Sequence, residues 1–232
     1  MIDLRPFDTL GGADHGWLRA RHHFSFSGYQ DAARMNWGAL RVWNDDAIQP
    51  HSGFPPHPHQ DMEIITYVLE GAISHQDSLG NQGRTAAGDV QVMSAGTGIR
   101  HAEYNLEPGV TRLFQIWIHP ARPGGAPSWG ARPFPRGDRA GRFVPLASGL
   151  PGDEEALPIR TPGRVLGATL PAGETLDYAL PSGRRAYLVP ARGAVEVNGV
   201  KVGTRDGAAI AEEPRLSITA LEDAELVMVD TV

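Results

Sequence analysis

The prolines of Pro55-Pro56-His57-Pro58-His59 set the tightest limit on what this chain can fold into. A proline has no amide hydrogen to give a sheet ladder, so the segment must lie at a sheet edge or turn its nitrogen positions away from the neighbouring strand. The stiff backbone also fixes the directions of two imidazoles. Side chains two apart on a strand point the same way, so His57 and His59 share a face. His101-Ala102-Glu103 repeats that spacing downstream. Two such strands side by side would aim three imidazoles and one carboxylate at a common point, a nitrogen-rich site with one hard oxygen that suits a transition metal.

The other residues narrow the choice further. The chain has no cysteine, which removes disulfides, thiolate ligands, iron–sulfur clusters and a cysteine nucleophile together. Any metal must then be held by His, Asp or Glu. The nine histidines end at His119, so the carboxyl-terminal half cannot supply an imidazole. His22 and His23 are adjacent, would point to opposite faces and read as structural. His75 lies near an expected hairpin tip at Gly80-Asn81 and reads as a surface residue.

Net charge is −6 and no sustained Lys/Arg block occurs, which gives no electrostatic footprint for nucleic acid. Met1-Ile2-Asp3-Leu4-Arg5-Pro6 carries charges where a signal peptide needs an apolar core. No segment approaches the roughly 20 apolar residues that span a bilayer. The expectation is a cytoplasmic protein with neither a nucleic-acid nor a membrane partner.

With 28 glycines and 19 prolines, the composition favours many short strands joined by tight turns and little helix. Residues 62–69 are rich in β-branched and aromatic side chains with little polar alternation, as in a strand covered on both faces. Residues 38–43 read as a strand stopped by the turn cluster Asn44-Asp45-Asp46. Residues 24–29 read as a short strand running into a turn. Between 120 and 160 the pattern turns polar and strand-poor, which places a domain boundary near 135 and gives domains of 1–135 and 136–232. Beyond it, strand-like runs at 165–170, 186–189, 194–197, 208–211, 216–220 and 226–229 have the spacing of an all-β sandwich or barrel. A weak repeat links the halves: Leu69-Glu70-Gly71-Ala72-Ile73 is similar to Ala191-Arg192-Gly193-Ala194-Val195. With those glycines matched, His57, His59 and Glu63 correspond to Ala179, Pro181 and Arg185, so the second half lacks the ligands.

A strand bearing His-x-His and a later Glu, followed by a second strand bearing His, resembles the cupin superfamily. His57-x-His59-x3-Glu63 fits the first cupin motif, with its flanking glycines at different distances. Gly88-x5-Ser94-x-Gly96 fits the second with Ser in place of Pro, and His101-x3-Asn105 closes it after a longer loop. The strings His57-Pro58-His59-Gln60-Asp61-Met62-Glu63, Ser94-Ala95-Gly96-Thr97-Gly98-Ile99 and His101-Ala102-Glu103 are similar to the pirin family, a bicupin group. So is Gly38-Ala39-Leu40-Arg41-Val42-Trp43-Asn44-Asp45-Asp46, and the resemblance is dense from about residue 20 to 120 and thin beyond about 135.

The resemblance implies an all-β fold of two tandem jelly-roll-type cupin barrels, with one divalent transition metal in the first. The family metal is usually iron(II), with nickel, manganese, zinc or copper as alternatives. The implied ligands are His57, His59, His101 and Glu103. Such a set leaves an octahedral ion with a residual positive charge and two open positions, which suits catalysis better than a structural role. Glu63, at the usual cupin glutamate position, would stand beside the ligands and orient an imidazole through its other ring nitrogen. The implied reaction is quercetin 2,3-dioxygenation, with a polyphenol and dioxygen as partners and carbon monoxide released. Glu103 is the first candidate for the base that takes the flavonol proton and Glu63 the second. The competing class is a non-enzymatic metal-binding regulatory or interaction protein, for which the sequence shows no peptide groove; a third is an enzyme for another substrate, since the fold hosts many chemistries. Phe54, Tyr67 and Met93 are apolar candidates for the pocket wall.

Overall fold

The computed structural model describes residues 1–232 as strands joined by tight turns, with three short 3-10 segments. Contacts divide the chain into two units, one of Gly11–Phe134 with Leu157–Thr161 and one of Met1–Leu10, Pro135–Ala156 and Pro162–Val232.

The histidine-bearing unit has two antiparallel sheets. The larger runs in the order Ser128–Arg132, Val90–Ser94, Glu63–Glu70, Thr111–Ile118, Leu40–Ile48, Leu18–His22, Gly11–Asp14. Glu63–Glu70 lies inside it with neighbours on both sides and is buried over its first six residues, as its unbroken apolar run requires. The smaller sheet runs Ser52–His59, Ile99–Asn105, Ala72–Asp77, Gln82–Ala86. The proline-rich strand is at its edge, where missing amides cost nothing.

Two local expectations fail here. Asn44-Asp45-Asp46 does not stop a strand: Leu40–Ile48 runs straight through it, paired in continuous register with Gln115, Phe114 and Leu113. All three residues are buried, and Asn44 and Asp46 line a cavity in this unit. Residues 24–29 form a bridged turn between Phe26 and Tyr29, with Ser27 at φ 51°, in place of a strand.

In the other unit the larger sheet places Ile2–Arg5, Gly207–Ala211, Arg185–Arg192, Ala224–Thr231, Arg164–Leu170 and Val144–Ser148 side by side in that order. The smaller has the order Thr175–Ala179, Arg215–Ala220, Val195–Val197, Val200–Val202. Leu166, Leu188, Ile210, Ile218, Leu226 and Met228 belong to the buried apolar cluster that makes its core. The first ten residues fall in this unit, not with residues up to 135, because Ile2–Arg5 pairs antiparallel with Gly207–Ala211. The repeat is visible in the backbone. Gly71 and Gly193 take φ values of 75° and 69° directly after the matching strands Glu63–Glu70 and Arg185–Arg192. Ala179, Pro181 and Arg185 are exposed.

Candidate metal centre

The two His/Glu segments are neighbours. Ile99–Asn105 pairs antiparallel with Ser52–His59, setting His101 opposite His57 and Ile99 opposite His59. A bulge follows, with Glu103 opposite Phe54, so that Pro55 and Pro56 together face the single residue Ala102. Bulges re-aim side chains beside functional sites, and two prolines fit one because neither has an amide for the ladder.

His57, His59 and His101 offer nitrogens that all lie within 4.8 Å of one another. The Nε2 atoms of His57 and His101 are 3.1 Å apart. The His57 Nδ1 lies 2.8 Å from the Pro55 carbonyl oxygen, which can only accept, so Nδ1 carries the proton and Nε2 presents a lone pair. Metal–nitrogen bonds of about 2.1 Å at right angles put neighbouring donors about 3.0 Å apart. The donor spacing fits a metal ion. Burial first, then His101 and His57, push the His59 imidazole down to about 4. Burial first, then His57 and His75, push His101 down to about 3. Both rings are neutral at pH 7, the state a ligand needs.

Glu103 falls in a second, overlapping group with His75 and His101. Its carboxylate accepts from Gln91 Nε2 at 2.7 Å and Gln115 Nε2 at 3.0 Å, with the Thr66 hydroxyl at 3.3 Å. Two neutral amides thus satisfy both oxygens of this buried side chain.

The four expected ligands line one cavity of about 780 Å³, with Trp17, Phe26, Phe54 and Trp117 among its walls. That lies inside the range of about 300–1,000 Å³ of small-molecule sites. Trp17 meets Phe54 edge-on at 5.1 Å, and Phe26 meets Trp117 edge-on at 5.4 Å. Polar groups mark the same wall. His22 Nδ1 and Asn44 Oδ1 are 2.8 Å apart, and Asp46 is buried with an Oδ1 that has no hydrogen-bond partner. Burial, then Asp45 and Glu103, hold the Asp46 carboxyl well above the usual carboxylate range. Of the apolar candidates Phe54 lines the cavity, whereas Tyr67 and Met93 are buried in the core away from it.

Two sequence expectations change. Glu63 is not brought to the imidazoles: its carboxylate accepts from the Ser94 hydroxyl at 2.6 Å, and Arg160 donates to it from its backbone. Glu63 does not line the cavity, because it opens a strand of the other sheet after a turn at Asp61, φ 48°, and side-chain parity does not carry through a turn. His75 is not a surface residue but is 3% exposed. Its signal was present in Ile73-x-His75-x-Asp77, an alternation whose three members are all buried while Ser74 and Gln76 are not.

Comparison with known proteins places the whole chain. Residues 4–118 match the family model described as pirin, and residues 146–231 match the quercetinase C-terminal cupin domain. A pirin-like protein of Caulobacter vibrioides is 72% identical over 230 residues, covering 99% of both chains. The quercetin 2,3-dioxygenase of Escherichia coli strain K12 is 42% identical over 233 residues, covering 99% of this chain and 98% of that one. The crystal structure of the bacterial pirin YhhW from Escherichia coli in complex with nickel(II) superposes with a TM-score of 0.94 at 41% identity, covering 100% of this chain and 99% of that one.

Proposed function

This chain belongs to the pirin family, and we propose that it is a metal-dependent dioxygenase that opens flavonols such as quercetin. The observation that carries the reading is one aromatic-walled cavity lined by His57, His59, His101 and Glu103 together. These four residues are the proposed ligands of one divalent transition metal, iron(II) first and nickel, manganese, zinc or copper as alternatives. A metal bound there would supply Lewis acidity that eases loss of the flavonol 3-hydroxyl proton.

The protein does the rest. The Pro55 carbonyl keeps the His57 Nε2 turned inward. Glu103, steadied by Gln91 and Gln115, accepts the 3-hydroxyl proton; it is favoured over Glu63 because it lines the cavity and Glu63 does not. The aromatic walls hold the planar rings and keep water from the enolate that results. Dioxygen then adds across the enolic ring, both of its atoms stay in the opened product, and one ring carbon leaves with its own oxygen as carbon monoxide.

The test is anaerobic reconstitution with iron(II), and in parallel with nickel, manganese and zinc, followed by oxygen uptake and loss of the quercetin absorbance band. Uptake that requires quercetin and disappears in His57→Ala supports the reading. Stoichiometric metal with no uptake for any of the metals overturns it in favour of a non-enzymatic metal-binding protein or an enzyme for another substrate.

A further inference from the structure

Behind His101, on the side away from His57, a chain of buried groups runs out of the metal centre and has no part in the proposed reaction. Ala72–Asp77 pairs with Ile99–Asn105 so that Asp77 lies opposite His101 and His75 opposite Glu103. His75 Nδ1 stands 3.4 Å from His101 Nδ1, and His75 Nε2 stands 3.0 Å from Asp77 Oδ2. The His75 ring cannot easily turn out of this line: it stacks on Trp129 at 4.7 Å with an interplanar angle of 7°. Gly83, opposite His75 in the next strand, leaves the room that Trp129 fills, since a β-carbon at Gly83 would collide with the indole. At the far end Asp77 accepts from the backbone of Leu79 at 2.9 Å and from the side chain of Asn81 at 2.9 Å.

We infer that Asp77 and His75 are positioning residues that fix the tautomer of His101, so that its Nε2 lone pair faces the metal position. Each link follows from what its atoms can do. A carboxylate only accepts, so His75 must donate to Asp77 from Nε2. A neutral imidazole with its proton on Nε2 has an acceptor at Nδ1, and His101 must fill it with an Nδ1 proton. His101 Nε2 is then left as a lone pair, and it is the atom that faces His57 Nε2 at 3.1 Å. The opposite tautomer would put a proton where a metal has to bind. Asp77 acts here as an acceptor at both oxygens: Oδ1 takes the backbone amides of Leu79 and Asn81 and Oδ2 takes the Asn81 side-chain amide, so the contact with His75 is left for His75 to donate.

The inference rests on the metal reading for its consequence, but the tautomers themselves can be read without a metal. The experiment is a long-range proton–nitrogen correlation on histidine-labelled protein, metal-free and zinc-loaded, together with zinc affinity by chelator competition. His75 protonated at Nε2 and His101 at Nδ1 in the metal-free protein is the expected pattern. A proton on His75 Nδ1 or on His101 Nε2 in that state overturns the inference. His75→Phe keeps a ring against Trp129 but offers no acceptor, and is expected to weaken zinc binding by about 10–100-fold, the usual effect of losing a partner of a metal-bound histidine. His75→Asn, whose oxygen sits close to the Nδ1 position, is expected to recover most of that loss. Equal affinity for the parent and His75→Phe overturns the inference. Absence of zinc binding in the parent overturns the metal reading instead, while the metal-free tautomers still decide the role of Asp77 and His75.

Discussion

The Nε2 atoms of His57 and His101 face each other at 3.1 Å, one from an edge strand stiffened by three prolines and one from the strand beside it. With the His57 Nδ1 proton held by the Pro55 carbonyl, its Nε2 lone pair is aimed at the His101 ring, an arrangement that a shared cation would relieve. His57→Ala is therefore expected to abolish stoichiometric metal while changing the stability of the metal-free protein by no more than about 0.5 kcal/mol, since the side chain is only partly buried. Equilibrium dialysis with urea unfolding measures both. Full metal retention in the variant would contradict the assignment.

Glu103 and Glu63 separate in the structure as they do not in the sequence. Glu103→Gln is expected to lower flavonol turnover by about 100-fold or more, the range for loss of a general base. Glu63→Gln, which can still accept from Ser94, should leave metal content and turnover unchanged. Turnover by metal-loaded variants decides; a large loss in Glu63→Gln alone would reverse the two roles.

Asp46 gives a dependence on pH. Its folded pKa is raised above the ordinary 3.8 by burial, then by Asp45 and Glu103. Its contribution to stability is thus fully present below the unfolded value and is lost as pH rises through the folded value. Asp46→Asn has no proton to lose, so the urea midpoint of its metal-free form should fall less than that of the parent as pH rises above the ordinary carboxylate range. Parallel profiles would show that Asp46 does not titrate in this way.

Gly71 and Gly193 hold the same place in the two units, and both have a positive φ. A β-carbon at Gly71 would lie 2.7 Å from the Thr111 hydroxyl, and one at Gly193 would collide with the Asp223 carbonyl. Alanine at either site is expected to cost about 1–3 kcal/mol, measured by denaturant unfolding. A loss below about 0.5 kcal/mol at both would show that neither turn needs glycine.

What could be read from the sequence was what single residues impose by themselves. A missing amide made the Ser52–His59 strand an edge, and strand parity paired His57 with His59 and His101 with Glu103. What could not be read depended on distant partners. Asn44-Asp45-Asp46 has turn propensity, but Leu18–His22 and Thr111–Ile118 on either side keep it extended. The pairing of Ile2 with Ile210 spans almost the whole chain, so no local pattern announces it. Nearness to a hairpin tip says nothing about which face the His75 side chain takes, whereas its alternation with Ile73 and Asp77 does.

The central claim is that this cavity performs ring-opening dioxygenation, and carbon monoxide is its most direct witness. The metal-loaded protein would be given quercetin in a closed vessel with dioxygen and carbon monoxide measured together. The account predicts equimolar dioxygen consumed and carbon monoxide released, with both lost in His57→Ala. Dioxygen consumed with hydrogen peroxide formed and no carbon monoxide, or the same yield from His57→Ala, would contradict it.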